Sequence, residues 1–106
     1  MKTKYVVLDD SLYRYVCACR SSAHDPVLKA LEAKNDLLGE ETSKQQIGAD
    51  QGSFLTLLVA AIGASSAIEV GTFTGYSSIC IARGLREGGR LLCLDRNTEW
   101  AAIGRA

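Results

Sequence analysis

The sequence has no excess of positive or negative charge. Its 106 residues carry twelve basic and twelve acidic side chains, so the formal net charge at pH 7 is zero. No run of Lys or Arg gathers the basic residues into a patch that would release many counterions from a nucleic acid. We therefore expect no nucleic acid as a direct partner.

Long uninterrupted apolar runs are also missing. The longest apolar stretch, residues 54–70, is broken by Gly63, two serines and Glu69, whereas a membrane-spanning helix needs about 20 predominantly apolar residues. Before Asp9 the chain holds too few apolar residues for the core of a signal peptide. These absences predict a cytoplasmic protein with no membrane partner.

Cysteine pairs at metal-binding or redox spacing are absent, and histidine is scarce. No C-x-x-C pair occurs, so neither a zinc site nor a redox motif is indicated. The single histidine, His24, precedes Asp25-Pro26 and is predicted to be a solvated turn residue rather than a ligand or base. All four cysteines are predicted to be reduced, buried thiols that behave as small hydrophobes: Cys17, Cys19, Cys80 and Cys93.

What the chain does contain is enough apolar sequence, 47% of its residues, for one folded globular domain. Residues 1–48 read as a helical lead-in. Asp9-Asp10-Ser11 offers N-cap candidates for a helix to about Arg20, and Asp25-Pro26 begins a second helix that Gly39 ends. Residues 40–46 then form a polar connector.

Residues 49–106 alternate between helix and strand patterns. Asp50 is predicted to cap a helix that runs to Gly63 and, because its apolar face is broad, should be largely buried. Strand patterns at 67–70 and 90–94 flank a helix pattern at 76–85, and Asn97 or Thr98 can cap a last helix. This order predicts two parallel strands joined by a right-handed crossover.

Two parallel strands alone leave a sheet incomplete. Parallel sheets are normally covered on both faces and contain more strands, because exposed edges and faces invite association. We therefore expect this sequence to be the N-terminal half of a longer design.

The most informative segment is Glu69-Val70-Gly71-Thr72-Phe73-Thr74-Gly75-Tyr76-Ser77, which reads as a strand end, a glycine turn and a helix start. Glycines let a ligand approach the backbone, and a helix N-terminus offers free N–H groups to an anion. A second carboxylate, Asp95, ends the next strand and can hold a ribose. Together these features predict a nucleotide-type cofactor site.

The glycine spacing argues against two common nucleotide sites. It departs from Gly-x-Gly-x-x-Gly because Thr72 and Phe73 stand where the middle glycine would be, and no Gly-Lys-Ser/Thr of a P-loop follows. Glu69 would repel a pyrophosphate, whereas it suits a cofactor with a cationic portion.

This segment resembles motif I of the S-adenosylmethionine-dependent O-methyltransferases of the caffeoyl-CoA and catechol type. The resemblance extends to three other segments and so covers about residues 10–106. These segments are Asp10-x-Leu12-x-x-Tyr15, Asp50-Gln51-Gly52-x-Phe54-Leu55 and the run from Gly88 to Asp95. It implies a Rossmann-like class I methyltransferase fold, of which this chain carries the N-terminal helices and first β-α-β unit. Residues 49–106 would be the first part of the cofactor-binding domain.

The resemblance also implies roles for individual residues toward S-adenosylmethionine. Gly71 and Thr72 would line its methionine portion, Ser77 would bind its carboxylate, and Glu69 would lie near its ammonium. Asp95 would hold the ribose hydroxyls. The full set of predicted cofactor-binding residues is Ile47, Glu69, Gly71, Thr72, Gly75, Tyr76, Ser77, Asp95 and Arg96.

Four of these residues also have a purely structural interpretation. Gly71 and Gly75 suit turns, and Ser77 or Asp95 can cap a helix. Trp100 is interpreted as packing, since no spacing ties it to the cofactor.

The implied reaction is methyl transfer to a phenolic or catechol-like hydroxyl. In this family a divalent cation commonly binds the acceptor, but its ligands and the catalytic groups would follow residue 106 in a family member. Self-association, such as a homodimer, is expected. An NAD-type oxidoreductase domain and a non-catalytic cofactor-binding fragment remain the alternatives.

Overall fold

The fold of residues 2–106, which the computed structural model describes, alternates helices with two strands. The helices of the lead-in are short, and the second half is a β-α-β unit followed by a last helix. In chain order the elements are α1 (Asp10–Ala18), α2 (Pro26–Asp36), α3 (Glu40–Ser43), α4 (Ala49–Ala61), β1 (Ser66–Val70), α5 (Tyr76–Gly84), β2 (Arg90–Leu94) and α6 (Thr98–Arg105).

Three helix starts follow the predicted capping chemistry. Asp9 accepts a hydrogen bond from the backbone N–H of Leu12 at 2.8 Å. Asp25 accepts from the second and third residues of α2, with Pro26 at the first helical position. Asn97, one of the two predicted caps, accepts two N–H groups of α6.

The predicted cap of α4, Asp50, is wrong, because the helix already begins at Ala49 and its N-cap lies two residues before Asp50. The N-cap is Gly48, whose backbone N–H donates to the Gln51 side chain at 3.0 Å. Asp50 lies inside the first turn, and its carboxylate accepts a hydrogen bond from the Tyr13 hydroxyl at 3.0 Å. A tertiary partner therefore takes the side chain that local pattern assigned to the cap. The polar connector likewise contains a short helix, α3.

The buried core joins α2 to α5. Leu28 and Leu31 pack with Tyr76 and Cys80, and three isoleucines border this cluster. Helices α4 and α5 approach closely at Gly52, where an added Cβ would lie 2.8 Å from the Cys80 sulfur. This packing fixes the start of α5, which is also the helix start of the predicted cofactor motif.

The two strands pair in parallel, as predicted, with Ile68 opposite Leu92 and Val70 opposite Leu94. These four side chains share one face of the sheet and are 70%, 54%, 80% and 45% exposed, respectively. Within residues 2–106 no element covers that face. The expectation of a sheet buried on both faces is therefore not met by this segment.

Helix α4 is less buried than its apolar sequence predicted. Only Gly52 and Val59 are buried, while Phe54, Leu57 and Ile62 are exposed. The prediction of a largely buried α4 was wrong, because an apolar face allows a helix to be buried but does not supply the element that buries it. Among residues 2–106, α4 packs chiefly against α5.

The cysteine prediction is correct only in part. All four cysteines are free thiols, but Cys80 alone is buried, whereas Cys19 and Cys93 are exposed. Cys93 lies on β2, a strand that pairs only with β1 in the described segment, so its apolar surroundings are incomplete. His24 is exposed in a turn, as predicted. In residues 2–106 we find no helix with the length and apolar character needed to cross a membrane.

Candidate functional site

The predicted site lies where the carboxyl ends of β1 and β2 meet. The backbone N–H of Gly71 donates to the Leu94 carbonyl at 2.8 Å, which joins the two strand ends. Gly71, Phe73 and Gly75 have positive φ angles of 82°, 53° and 96°. Such angles are easily adopted by glycine and uncommon for phenylalanine, so Phe73 must be held by its surroundings.

Asp95 supplies the contact that holds this turn. Its Oδ2 accepts the backbone N–H of Phe73 at 2.7 Å, and its Oδ1 accepts the N–H of Asn97 at 2.8 Å. The Asn97 N–H, followed by that of Phe73, lowers the pKa of the carboxyl below 3.8, because both bonds favour the ionised form. A carboxylate has about four lone-pair sites, so Asp95 retains acceptor capacity for ligand hydroxyls.

Glu69 and Ser77 lie together at the start of α5. The Ser77 hydroxyl donates to one carboxylate oxygen of Glu69, and the hydroxyl of Ser78 donates to the other. Ser78 was not among the predicted site residues, although its position after Ser77 in the first turn of α5 offered that signal. The half-buried Glu69 carboxylate thus presents a fixed negative charge beside the helix N-terminus.

A groove of about 610 Å³ opens beside the strand ends. Asp95 and Arg96 contribute its polar side, and Trp100 contributes an aromatic wall. The Trp100 ring meets the Phe73 ring edge-on, with centroids 5.0 Å apart and an interplanar angle of 81°. The residues that line the groove are Gln45, Val70, Gly71, Leu94, Asp95, Arg96 and Trp100.

Gln45 and Trp100 were not predicted to line this groove. Trp100 does pack, as interpreted from the sequence, but it also faces the groove. Its position in the first turn of the helix that follows Asp95 was the available signal. Gln45 offered none, since it reaches the groove from the lead-in, far from the motif in sequence.

The structure brings some predicted residues to the groove and directs others elsewhere. Gly71, Asp95 and Arg96 line it together. The Tyr76 side chain is only 2% exposed and belongs to the core, so only its backbone N–H is available to a ligand. Burial, followed by the neighbouring Glu32, raises the pKa of Tyr76, which keeps the phenol neutral. Ile47 packs its side chain against the core, which leaves its backbone for the contact that the resemblance implies.

Thr72 and Gly75 lie around the turn rather than in the groove itself. The Thr72 hydroxyl is 3.5 Å from the Leu94 carbonyl, and both residues line a smaller cavity of about 220 Å³ between the turn, α5 and α6. Gly75 is buried as the N-cap of α5, where an added Cβ would lie 3.5 Å from Gly104. Both residues therefore shape the turn.

A glycine turn between β1 and α5, with a carboxylate ending β2, defines a Rossmann-like cofactor-binding protein of the α/β class. Comparison with known sequences narrows this class. The chain belongs to the O-methyltransferase family, whose sequence model matches residues 19–106.

Individual relatives agree with this assignment. Caffeoyl-CoA O-methyltransferase 2 from Petunia hybrida is 34% identical over an alignment of 105 residues, which covers 95% of this chain and 41% of the relative. The O-methyltransferase from Bacillus cereus, solved with SAH, matches the structure with a TM-score of 0.79 at 34% identity, over 90% of this chain and 42% of that one. TomG from Streptomyces achromogenes, an O-methyltransferase solved with SAM, gives 0.74 at 28%, over 92% and 44%.

The chain spans about two fifths of the length of these relatives. The shared part contains the helical lead-in, the glycine turn and both strand-end carboxylates.

Proposed function

We propose that this segment binds S-adenosylmethionine and forms the donor side of a methyltransferase site. The observation that carries the proposal is the meeting of Gly71, Asp95 and Arg96 in one groove at the carboxyl ends of parallel strands, where α/β folds bind cofactors. The solved relatives bound to SAH and SAM support the same ligand class.

The charges beside α5 fit the methionine portion of this cofactor. Its ammonium would lie near the Glu69 carboxylate, and its carboxylate near the Ser77 hydroxyl and the first N–H groups of α5, which lack intrahelical acceptors. Because the Ser77 hydroxyl donates to Glu69 in this structure, a bond from it to the cofactor would require that hydroxyl to turn from one carboxylate to the other.

The ribose and adenine would occupy the groove. Asp95 would accept the two ribose hydroxyls through lone pairs that its backbone bonds leave available. Arg96 and Trp100 would then border the adenine, which gives the tryptophan a binding role in addition to its packing against Phe73.

We further propose that the complete enzyme transfers the methyl group to a phenolic or catechol-like hydroxyl. The acceptor hydroxyl would lose its proton to solvent, and its oxygen would bond to the methyl carbon in line with the carbon–sulfur bond. That bond would break, and its electron pair would remain on sulfur. The residues described here would contribute by holding the donor in position.

A divalent cation beside the acceptor is part of the same proposal. Residues 2–106 contain no group of three or more His, Cys, Asp or Glu side chains placed to hold a metal ion. We propose that a cation used by the complete enzyme is held by residues outside this range.

We also propose a cytoplasmic location and association with a second copy. The apolar side chains exposed on the sheet face and on α4 support self-association.

Calorimetric titration of the purified chain with S-adenosylhomocysteine and with NAD tests the cofactor proposal. We expect saturable binding of the first and none of the second. The reverse result would favour an NAD-type oxidoreductase domain and would overturn the proposal.

A methyl-transfer assay on a panel of catechols, with and without magnesium, tests whether this chain holds only the donor side of the site. We expect no transfer by the 106-residue chain even where it binds the cofactor. Transfer by this chain alone would show that the catalytic groups lie within it.

A further inference from the structure

One side-chain pair joins the lead-in to the cofactor groove. Asn35, in the last turn of α2, is 1% exposed, and its Nδ2 donates to the Oε1 of Gln46 at 2.5 Å. Gln46 lies between α3 and α4, in residues 44–48. This narrower segment, rather than the polar connector 40–46 of the sequence analysis, is called the connector from here on. Its neighbour Gln45 lines the groove.

We propose that Asn35 is a positioning residue for the cofactor groove, because its bond to Gln46 fixes the connector that carries Gln45. The inference rests on the proposed function of the groove. It assigns to the lead-in helix α2 a part in cofactor binding without contact with the cofactor.

The connector is bonded to the helix on each side of it. At its start, the backbone N–H groups of residues 44–46 donate to carbonyl groups of α3. Gly48 donates its backbone N–H to Gln51, and the Ala49 carbonyl accepts from the Arg20 guanidinium at 3.1 Å. Ile47 adds apolar contact with the core. Upstream of Ile47, Lys44 pairs with Glu40 and Glu41 of the adjacent α3, whereas the bond from Asn35 joins the connector to α2. Loss of that bond would free α3 and the connector to move together relative to α2, and Gln45 would move with them.

The chemistry of Asn35 suits a residue that positions the connector better than one that stabilises the fold. A buried amide is costly unless its polar atoms are hydrogen-bonded. The Oδ1 of Asn35 has no hydrogen-bond partner within residues 2–106, so the residue stabilises the fold less than a well-packed apolar side chain would. A buried polar pair nevertheless selects one arrangement of the segments that it joins.

The experiment measures connector order and cofactor affinity in the same variants. Asn35→Ala should speed amide hydrogen exchange at residues 44–48 in the free protein while the amides of α5 keep their protection. It should also weaken binding of S-adenosylhomocysteine by about three- to tenfold, the effect of losing one hydrogen bond. Gln46→Ala should do the same.

The double variant N35A/Q46A should bind no more weakly than either single variant, because both remove one shared bond. The exchanged pair N35Q/Q46N keeps two amides of the same total reach and should recover affinity and protection. Asp36→Ala is the matched control, since Asp36 is the exposed neighbour of Asn35 on the same helix.

Additive losses in the double variant, or unchanged affinity and exchange in folded N35A, would overturn the proposal. Failure of the unaltered chain to bind S-adenosylhomocysteine would overturn the proposed function and the groove role of Asn35 with it. The exchange data would still show whether the pair orders the connector, so the two failures are distinguishable.

Discussion

Asp95 shows how one residue can serve the fold and the site together. Sequence alone left a choice between a helix cap and a ribose ligand. The structure gives it two backbone bonds, one of them back to Phe73 in the preceding turn. The bond from Phe73 is a tertiary contact between residues 22 positions apart, so no local sequence pattern reveals it.

Asp95→Asn should weaken binding of S-adenosylhomocysteine roughly tenfold or more, because a charged acceptor for the ribose hydroxyls is lost. Titration calorimetry measures the change. Unchanged affinity in the folded variant would mean that Asp95 acts only in the turn.

The same variant predicts a pH dependence of stability. Since the folded protein lowers the pKa of Asp95, its contribution is complete above the unfolded value of 3.8 and is lost as pH falls through the lower folded value. The difference in unfolding free energy between the native chain and Asp95→Asn should therefore shrink only in strong acid. A difference that shrinks at neutral pH would contradict this assignment.

Gly71→Ala separates backbone strain from ligand contact. Gly71 has φ 82°, and an added Cβ meets no atom within 4 Å; Gly39 has φ 93° and the same open space. Both alanine variants should lose about 1 kcal/mol of stability, because L-residues are strained at such angles. Only Gly71→Ala should also weaken cofactor binding, as measured by calorimetry beside thermal unfolding. Equal effects of the two variants on affinity would remove Gly71 from the site.

At the scale of elements, local patterns predicted the order of helices and strands and three of the caps. They failed at α4, where Asp50 binds Tyr13 instead of capping the helix. The same limit applies to the groove: Gln45, Gly71 and Trp100 lie far apart in sequence and meet only through the fold. Motif spacing identifies the residues of one turn, whereas the walls come from elements that the motif does not contain.

Tyr13→Phe tests the link between α1 and α4. The Cys17 side chain, burial and the Asp50 carboxylate raise the pKa of Tyr13 from 10.0 to about 12. Its bond should contribute about 1 kcal/mol, fully present below pH 10.0 and lost as pH rises through about 12. Chemical unfolding across alkaline pH measures this contribution.

Tyr15→Phe is the control, because Tyr15 is exposed on the same helix. An equal loss of stability in both variants would show that the Asp50 bond contributes nothing specific.

At the scale of the whole molecule, the uncovered sheet face is the main departure from expectation. The sequence correctly indicated that β1 and β2 are apolar. A pattern of apolar residues does not indicate, however, which part of a protein covers the strands. Ile68 and Leu92 lie opposite each other on that face.

Ile68→Lys and Leu92→Lys should reduce self-association and binding of an apolar fluorescent dye while the chain stays folded, because both side chains already face solvent. Light scattering during gel filtration measures the first effect. Leu28→Lys, in the buried core, should instead unfold the chain. Unaltered association in both surface variants would place the interface elsewhere, and α4 would be tested next.

The paired backbone bonds of Asp95 have a spectroscopic consequence. A ligand hydroxyl that draws electron density from either carboxylate oxygen would weaken the bond at the same oxygen to Phe73 or Asn97. The amide proton resonances of these two residues would then shift, each for its own oxygen. Two native nuclei would thus report which ribose hydroxyl is engaged, without any label on the cofactor.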